Sequence, residues 1–483
     1  MELKQKALSG IKWTGVSSLL IAVFKLLQVC VLTRFVSQTD LGIVAIALLI
    51  ISYSDIVADL GITSAVLHKQ HITVKQYSSL FWINLSLSIF LTLFLFALAP
   101  YIARFYSEEK LINIIRLLSV NILFLGISRL HRTYLYKMLC FRLLSIIDLI
   151  GAAISLLLLF FLISFGDSGI YSLIYSNIIV SFFTSIILFI YGRQKRLKYH
   201  FYFNYSKISS FFKIGMYQFA ASFLDFFSRE IDVVIIASLY PMNVVGVYTL
   251  CKQLVVKMYG ILNPILSKVL TPILSIIQND KDETKNIYSR VIEFMSFCNY
   301  PLYFCIASIS YPLLAILYGS SYSSNYLILS IISITYGINS VASPVGNLEI
   351  ALGRTDLGFY WTIYRVVSVV LIIYLFSQTS ILTMTLAILV LTILSMLPFS
   401  FFLIKKMINI EVRDYFALQY YPFCCALFVM CPLLLQKQIY SAYITLLIFI
   451  LLFIVGYLGL MFLLKRKLVL HSFECLSAII KIK

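Results

Sequence analysis

Apolar residues run in long blocks along this chain, and short polar stretches interrupt them at near-regular intervals. A helical block of about 20 apolar residues matches the hydrocarbon core of a bilayer. Fourteen such segments are predicted, at 13–35, 41–66, 78–103, 111–136, 143–165, 169–192, 211–239, 244–270, 288–318, 326–352, 358–377, 381–404, 416–435 and 441–464. Backbone polar groups must be satisfied internally in lipid, so these blocks are helices. The pattern therefore predicts an all-α integral membrane protein with about 14 transmembrane helices. Two segments are less clean. The seventh carries charges, and the ninth contains Pro301 and Pro312.

The polar connections give an orientation. With the N-terminus inside, the inner loops hold roughly 24 Lys and Arg, and the outer loops hold about three. Both termini are then cytoplasmic. The longest inner connection, 193–210 (RQKRLKYHFYFNYSKISS), follows six segments and reads as a basic linker. Shifting the first segment by 204 residues places Ser18 on Ser222, Leu20 on Leu224, Val29 on Val233 and Gly42 on Gly246. The same shift places Lys25 on Arg229. The expected organisation is two parallel six-helix lobes, 1–192 and 211–404, with two appended helices and a tail in 405–483.

Composition narrows the class. Of the 483 residues, 61% are hydrophobic and 12% charged, and mean hydropathy is +0.97, which excludes an ordinary soluble protein. The net charge of +18 is spread over short loops, so it marks topology and not nucleic-acid binding. Nine cysteines, most inside apolar runs and none with zinc-site spacing, read as small core residues. No phosphate-binding G-x-x-x-x-G-K-[ST] loop and no H-E-x-x-H pair occurs, so no cofactor, metal or catalytic residue is expected. The first apolar run lacks an A-x-A cleavage site and reads as a retained helix.

Charges inside the apolar segments are the candidate chemistry. Each ionised side chain at mid-membrane costs roughly 2.5–3.5 kcal/mol, so it needs a partner or a watered cavity. In the seventh segment Asp225, Arg229 and Asp232 share one helical face at i, i+4 and i+7. That stripe is either a clasp between helices or the wall of a cavity for a charged substrate. Lys25 lies near the centre of the first segment, Lys252 and Lys257 lie in the eighth, and Arg365 lies about two turns inside the eleventh. Cations on facing helices of two lobes form a basic cleft suited to an anion such as a diphosphate. Asp55 and Asp59 share a face of the second segment. They hold a coupling proton or cation, or they pair with Arg129 and Arg132 of the fourth. Asp225 and Asp232 are further places for a coupling ion.

Four stretches carry a resemblance: SGIKWTG at 9–15, TRFVSQTDLG at 33–42, DLGITSA at 59–65 and ALGRTD at 351–356. With the segment count and the basic cleft, the chain resembles the Wzx-type flippases, particularly the WzxC-like group, of the multidrug/oligosaccharidyl-lipid/polysaccharide exporter superfamily. That resemblance implies a V-shaped two-lobe fold, alternating access and no enzymatic step. It implies an undecaprenyl-diphosphate-linked oligosaccharide, the repeat unit of an O-antigen, capsule or exopolysaccharide, as cargo. The cargo passes from the inner to the outer leaflet of the bacterial inner membrane. Membrane lipids, a proton or sodium ion and polysaccharide polymerase machinery are the implied partners, and nucleic acid is not. The family's cavity cations carry over to Lys25, Arg229, Lys252 and Lys257. The chain departs from a purely cationic cavity in having Asp225, Glu230 and Asp232 beside Arg229. A drug or cation antiporter of the same superfamily needs an acidic cavity, and a membrane glycan polymerase or ligase needs a large outer loop.

Overall fold

Each predicted segment overlaps a helix in the computed structural model, which describes residues 2–69, 72–165, 169–194, 202–204, 208–435 and 442–481. The chain divides into two compact units, Met1–Gly246 and Val247–Lys483. The first contains α1 (Glu2–Phe35), α2 (Gln38–Asp59), α3 (Ile62–His68), α4 (Val74–Phe105), α5 (Lys110–Lys137), α6 (Phe141–Phe165), α7 (Tyr171–Gln194) and α8 (Ser209–Leu239). The boundary falls inside α9 (Met242–Ile277). The second unit continues with α10 (Lys281–Ser308), α11 (Ser310–Leu317), α12 (Ser320–Ser323), α13 (Tyr326–Ala342), α14 (Val345–Ala351), α15 (Thr355–Leu375) and α16 (Ile381–Phe399). A π-helical stretch at Ser400–Lys405, α17 (Lys406–Ile408), α18 (Val412–Leu435) and α19 (Ala442–Lys481) complete it. The basic run of the 193–210 linker falls largely at 195–201 and 205–207, outside the described residues.

Among the described residues, eleven helices are long and apolar enough to cross a membrane. The bent pair α10–α11 makes twelve, and α8, with four charges in eight residues, is outside that count. The chain is thus a multi-pass membrane protein. Helix ends overrun the apolar blocks. α10 starts at Lys281, seven residues before the predicted segment, because the Asp280 carboxylate caps it. It accepts from the backbone nitrogens of Asp282 at 3.1 Å and Glu283 at 2.9 Å. Hydropathy marks what lies in lipid, not where helical hydrogen bonding stops.

Two breaks lie inside segments that the pattern ran together. α10 and α11 meet at a 69° bend at Ile309. Pro301 lies within α10 without ending it, and Pro312 sits in the first turn of α11, where a missing N–H costs nothing. The 41–66 segment divides at Leu60 (φ 44°) and Gly61 (φ 68°). The Asp59 carboxylate caps α3, accepting from the Thr63 hydroxyl at 2.6 Å and from its backbone nitrogen at 3.3 Å. Asn84 of α4 donates to the Ala58 carbonyl at 3.0 Å, which satisfies a carbonyl in the last turn of α2. The DLGITSA stretch is therefore a helix break with its own cap.

A second glycine position is governed by backbone contact. A methyl group added to Gly42 would fall on the Met242 carbonyl oxygen and 3.0 Å from the Gly246 nitrogen. One added to Gly246 would fall on the Gln38 carbonyl oxygen and 2.9 Å from the Gly42 nitrogen. Gln38 and Met242 differ by 204 in number, as do Gly42 and Gly246, so the contact is reciprocal under the shift found in the sequence. Gly42→Ala is expected to lower stability by about 1–3 kcal/mol, since backbone must move to admit the methyl. In a thermal unfolding assay, Gly42→Ala/Gly246→Ala is expected to cost clearly less than the sum of the two single changes, because both crowd one contact.

Candidate functional site

α8 is seated on α2 and α3 through an aromatic and a glycine contact. The Tyr53 ring of α2 meets Phe226 edge-on at 4.6 Å between centroids, with Phe223 and Phe227 at 5.9 and 6.3 Å. At the start of α3, Gly61 lies against the Gly215 backbone, where neither residue leaves room for a Cβ. These contacts fix which way α8 turns its charges. Asp225 and Arg229 face outward, each side chain about half exposed (54% and 55%). They form a two-point pair, Arg229 Nε to Asp225 Oδ1 at 3.1 Å and Nη2 to Oδ2. This pair lies within α8, and Arg229 makes further contacts besides. An exposed i,i+4 pair contributes only about 0.3–0.5 kcal/mol to stability. Glu230 and Asp232 are half-buried and make contacts of their own.

Lys25 presents a different environment. α1 packs along α6, where the buried Gln28 donates to Ser155 at 2.7 Å. Lys25, one turn earlier, is exposed and makes no ion pair or hydrogen bond among the described residues. An ammonium at mid-helix with no protein partner is open to an anion from outside the helix bundle.

Asp55 and Asp59 have protein partners. Arg129 of α5, with 11% of its side chain exposed, binds Asp55 through Nη2, and its Nε is 3.8 Å from Asp59 Oδ1. Arg132 does not join them. It grips Asp148 of α6 with two bonds, at 2.6 and 3.0 Å. One helical turn separates Arg129 from Arg132, so the two guanidiniums tie α5 to different neighbours. Lys137 reaches the carbonyls of Val66, at 3.2 Å, and Lys69, at the end of α3.

The other predicted cations lie in the second unit. Lys252 of α9 is 3% exposed, while Lys257 and Arg365 are half-buried, and all three have interaction partners. That unit also holds a polar cluster that a search for charges misses. Tyr300 donates to Gln419 at 2.6 Å, and Tyr288 and Tyr415 are fully buried. Its visible signal in sequence is Gln419 one turn after Tyr415 in an apolar run. Among the described residues no three His, Cys, Asp or Glu side chains are placed to hold a metal, and eight of the nine cysteines stand outside any disulfide.

Comparison with known proteins places this architecture. Residues 31–326 match a family described as "Polysaccharide biosynthesis protein", and the chain belongs to that family. Similar proteins include the teichuronic acid biosynthesis protein TuaB of Bacillus subtilis (strain 168), 25% identical over 74% of each chain. They also include the lipopolysaccharide biosynthesis protein WzxC of Escherichia coli (strain K12), 23% identical over 88% of this chain and 87% of that one. Among solved structures, the lipid II flippase MurJ in an inward closed conformation superposes with a TM-score of 0.73 at 16% identity. That match covers 95% of this chain and 100% of MurJ, and at such identity it establishes a shared fold.

Proposed function

We propose that this chain carries an oligosaccharide linked to undecaprenyl diphosphate from the inner to the outer leaflet of a bacterial inner membrane. In that orientation both termini are cytoplasmic. The carrying observation is Lys25, a mid-span cation exposed and without a protein partner among the described residues. Family membership, the polysaccharide-biosynthesis relatives and the fold shared with a lipid flippase support the same reading.

In this proposal Lys25 and Arg229 bind the diphosphate while the polyprenyl chain stays in lipid. Lys252, Lys257 and Arg365 are further candidate substrate contacts in this proposal. Arg229 contributes by releasing one arm from Asp225, a small cost for an exposed pair. No bond is made or broken in the cargo, so the site needs no catalytic residue. The diphosphate carries about two negative charges, and moving each through 100 mV is worth about 2.3 kcal/mol. A negative-inside potential therefore favours outward passage by up to about 5 kcal/mol.

Reconstitution tests this. In vesicles loaded with a fluorescent lipid-diphosphate oligosaccharide, the purified protein is expected to make the sugar on the far leaflet accessible to an added lectin. Its access rate should rise when a potension of the favourable sign is imposed. Accessibility no greater than in protein-free vesicles would remove the proposal.

A further inference from the structure

A cavity of about 560 Å³ opens on the first unit, and none of the charges discussed above is among the residues that line it. Trp82, Ile83, Ser86, Leu87 and Phe90 of α4 form one wall, and Tyr202 and Phe203 form the other. Tyr202 is held in place from two sides. Its carbonyl accepts from Ser79 at 3.3 Å, and the next-but-one nitrogen, of Asn204, donates back to the Ser79 hydroxyl at 3.2 Å. The Lys75 ammonium lies 5.5 Å from the centroid of the Tyr202 ring, which itself lines the cavity. A capping box between Thr73 and Gln76 fixes the turn that carries Lys75.

Dimensions and charge both select an occupant. From Trp82 to Phe90 the groove runs about 12 Å along α4, and an acyl chain occupies about 15 Å, half of the hydrocarbon core. Lys75 lies about 10 Å before Trp82, at the depth of a headgroup. The two stretches that line the groove, α4 and residues 202–204, carry no acidic residue, and Lys75 is the cation on the first turn of α4, with Arg104 at its far end. Trp and Tyr at the rim suit the membrane interface.

We infer that this groove is a binding site for an anionic phospholipid, with one acyl chain between α4 and Tyr202–Phe203 and the phosphate at Lys75. In the orientation given by the loop charges, the lipid belongs to the cytoplasmic leaflet. The site is separate from the cargo path proposed above and stands without it.

Trp82 is its own reporter. A full-length Trp13→Phe/Trp361→Phe protein in neutral bilayers leaves Trp82 as the remaining tryptophan of the three. Brominated phosphatidylglycerol is expected to reach half-maximal quenching at about fivefold lower mole fraction than brominated phosphatidylcholine, the ratio for one lysine contact of about 1 kcal/mol. The preference is expected to vanish in Lys75→Gln, which loses the charge. Ser86→Phe, which fills the groove, should remove it as well. Equal quenching by the two lipids would overturn the site. Displacement of the brominated lipid by a polyprenyl phosphate at a lower mole fraction than unlabelled phosphatidylglycerol would also overturn it, in favour of a cargo chain.

Discussion

Arg129→Met is expected to leave little folded protein in the membrane. The guanidinium is largely buried and serves both Asp55 and Asp59, and Asp59 in turn caps α3. Removing the cation strands two carboxylates beside each other. Breaking a buried pair costs about 3–5 kcal/mol, and the lower end applies because the Asp55 side chain is 41% exposed. Even that is a large share of a stability of about 5–15 kcal/mol. Membrane-integrated yield and thermal unfolding in detergent measure it. Arg129→Met/Asp55→Asn/Asp59→Asn is expected to recover much of the loss, since no charge is left uncompensated. A triple variant as unstable as Arg129→Met would show that the ion pairs are not the cause. If the triple variant folds and still exports glycan, Asp55 and Asp59 are not places where a transported ion sits.

The second large effect is on export. Lys25→Ala is expected to reduce surface glycan by about tenfold or more with protein level unchanged, and Lys25→Arg to retain most of it. A hydrogen bond to a charged group is worth about 1.5–3 kcal/mol, and 1.4 kcal/mol corresponds to tenfold. Stability should barely move, because the side chain is exposed and touches no acid among the described residues. Arg229→Ala is expected to lose less, since Asp225 already offsets that charge. Full glycan display by Lys25→Ala at equal protein level would end the assignment of Lys25 to the cargo.

Hydropathy made the helical class legible because a bilayer imposes one length and one composition on every crossing. It could not see Gly61 dividing α2 from α3, where the cause is a backbone turn and a carboxylate cap inside an apolar run. The candidate charges were legible as intrusions, but their partners were not. Spacing put Arg129 and Arg132 on α5 with equal claims on Asp55 and Asp59, and only the placement of α6 decides that Arg132 goes to Asp148. In the same way, Asp225 four residues before Arg229 and Asp232 three residues after it both offered an acid, and the structure shows the two-point grip on Asp225. The Trp82 groove was not legible at all, because it joins α4 to residues more than a hundred positions later.

The Gly42–Gly246 contact also carries history. Under the 204-residue shift, each partner's neighbour is the other's counterpart. In a forerunner half as long, that arrangement would be an isologous touch between identical chains, one glycine pressed against its own twin. Fusion of the two copies would then have tethered an association already in place. Two separately expressed halves of this protein, cut between residues 194 and 208, should accordingly still find each other.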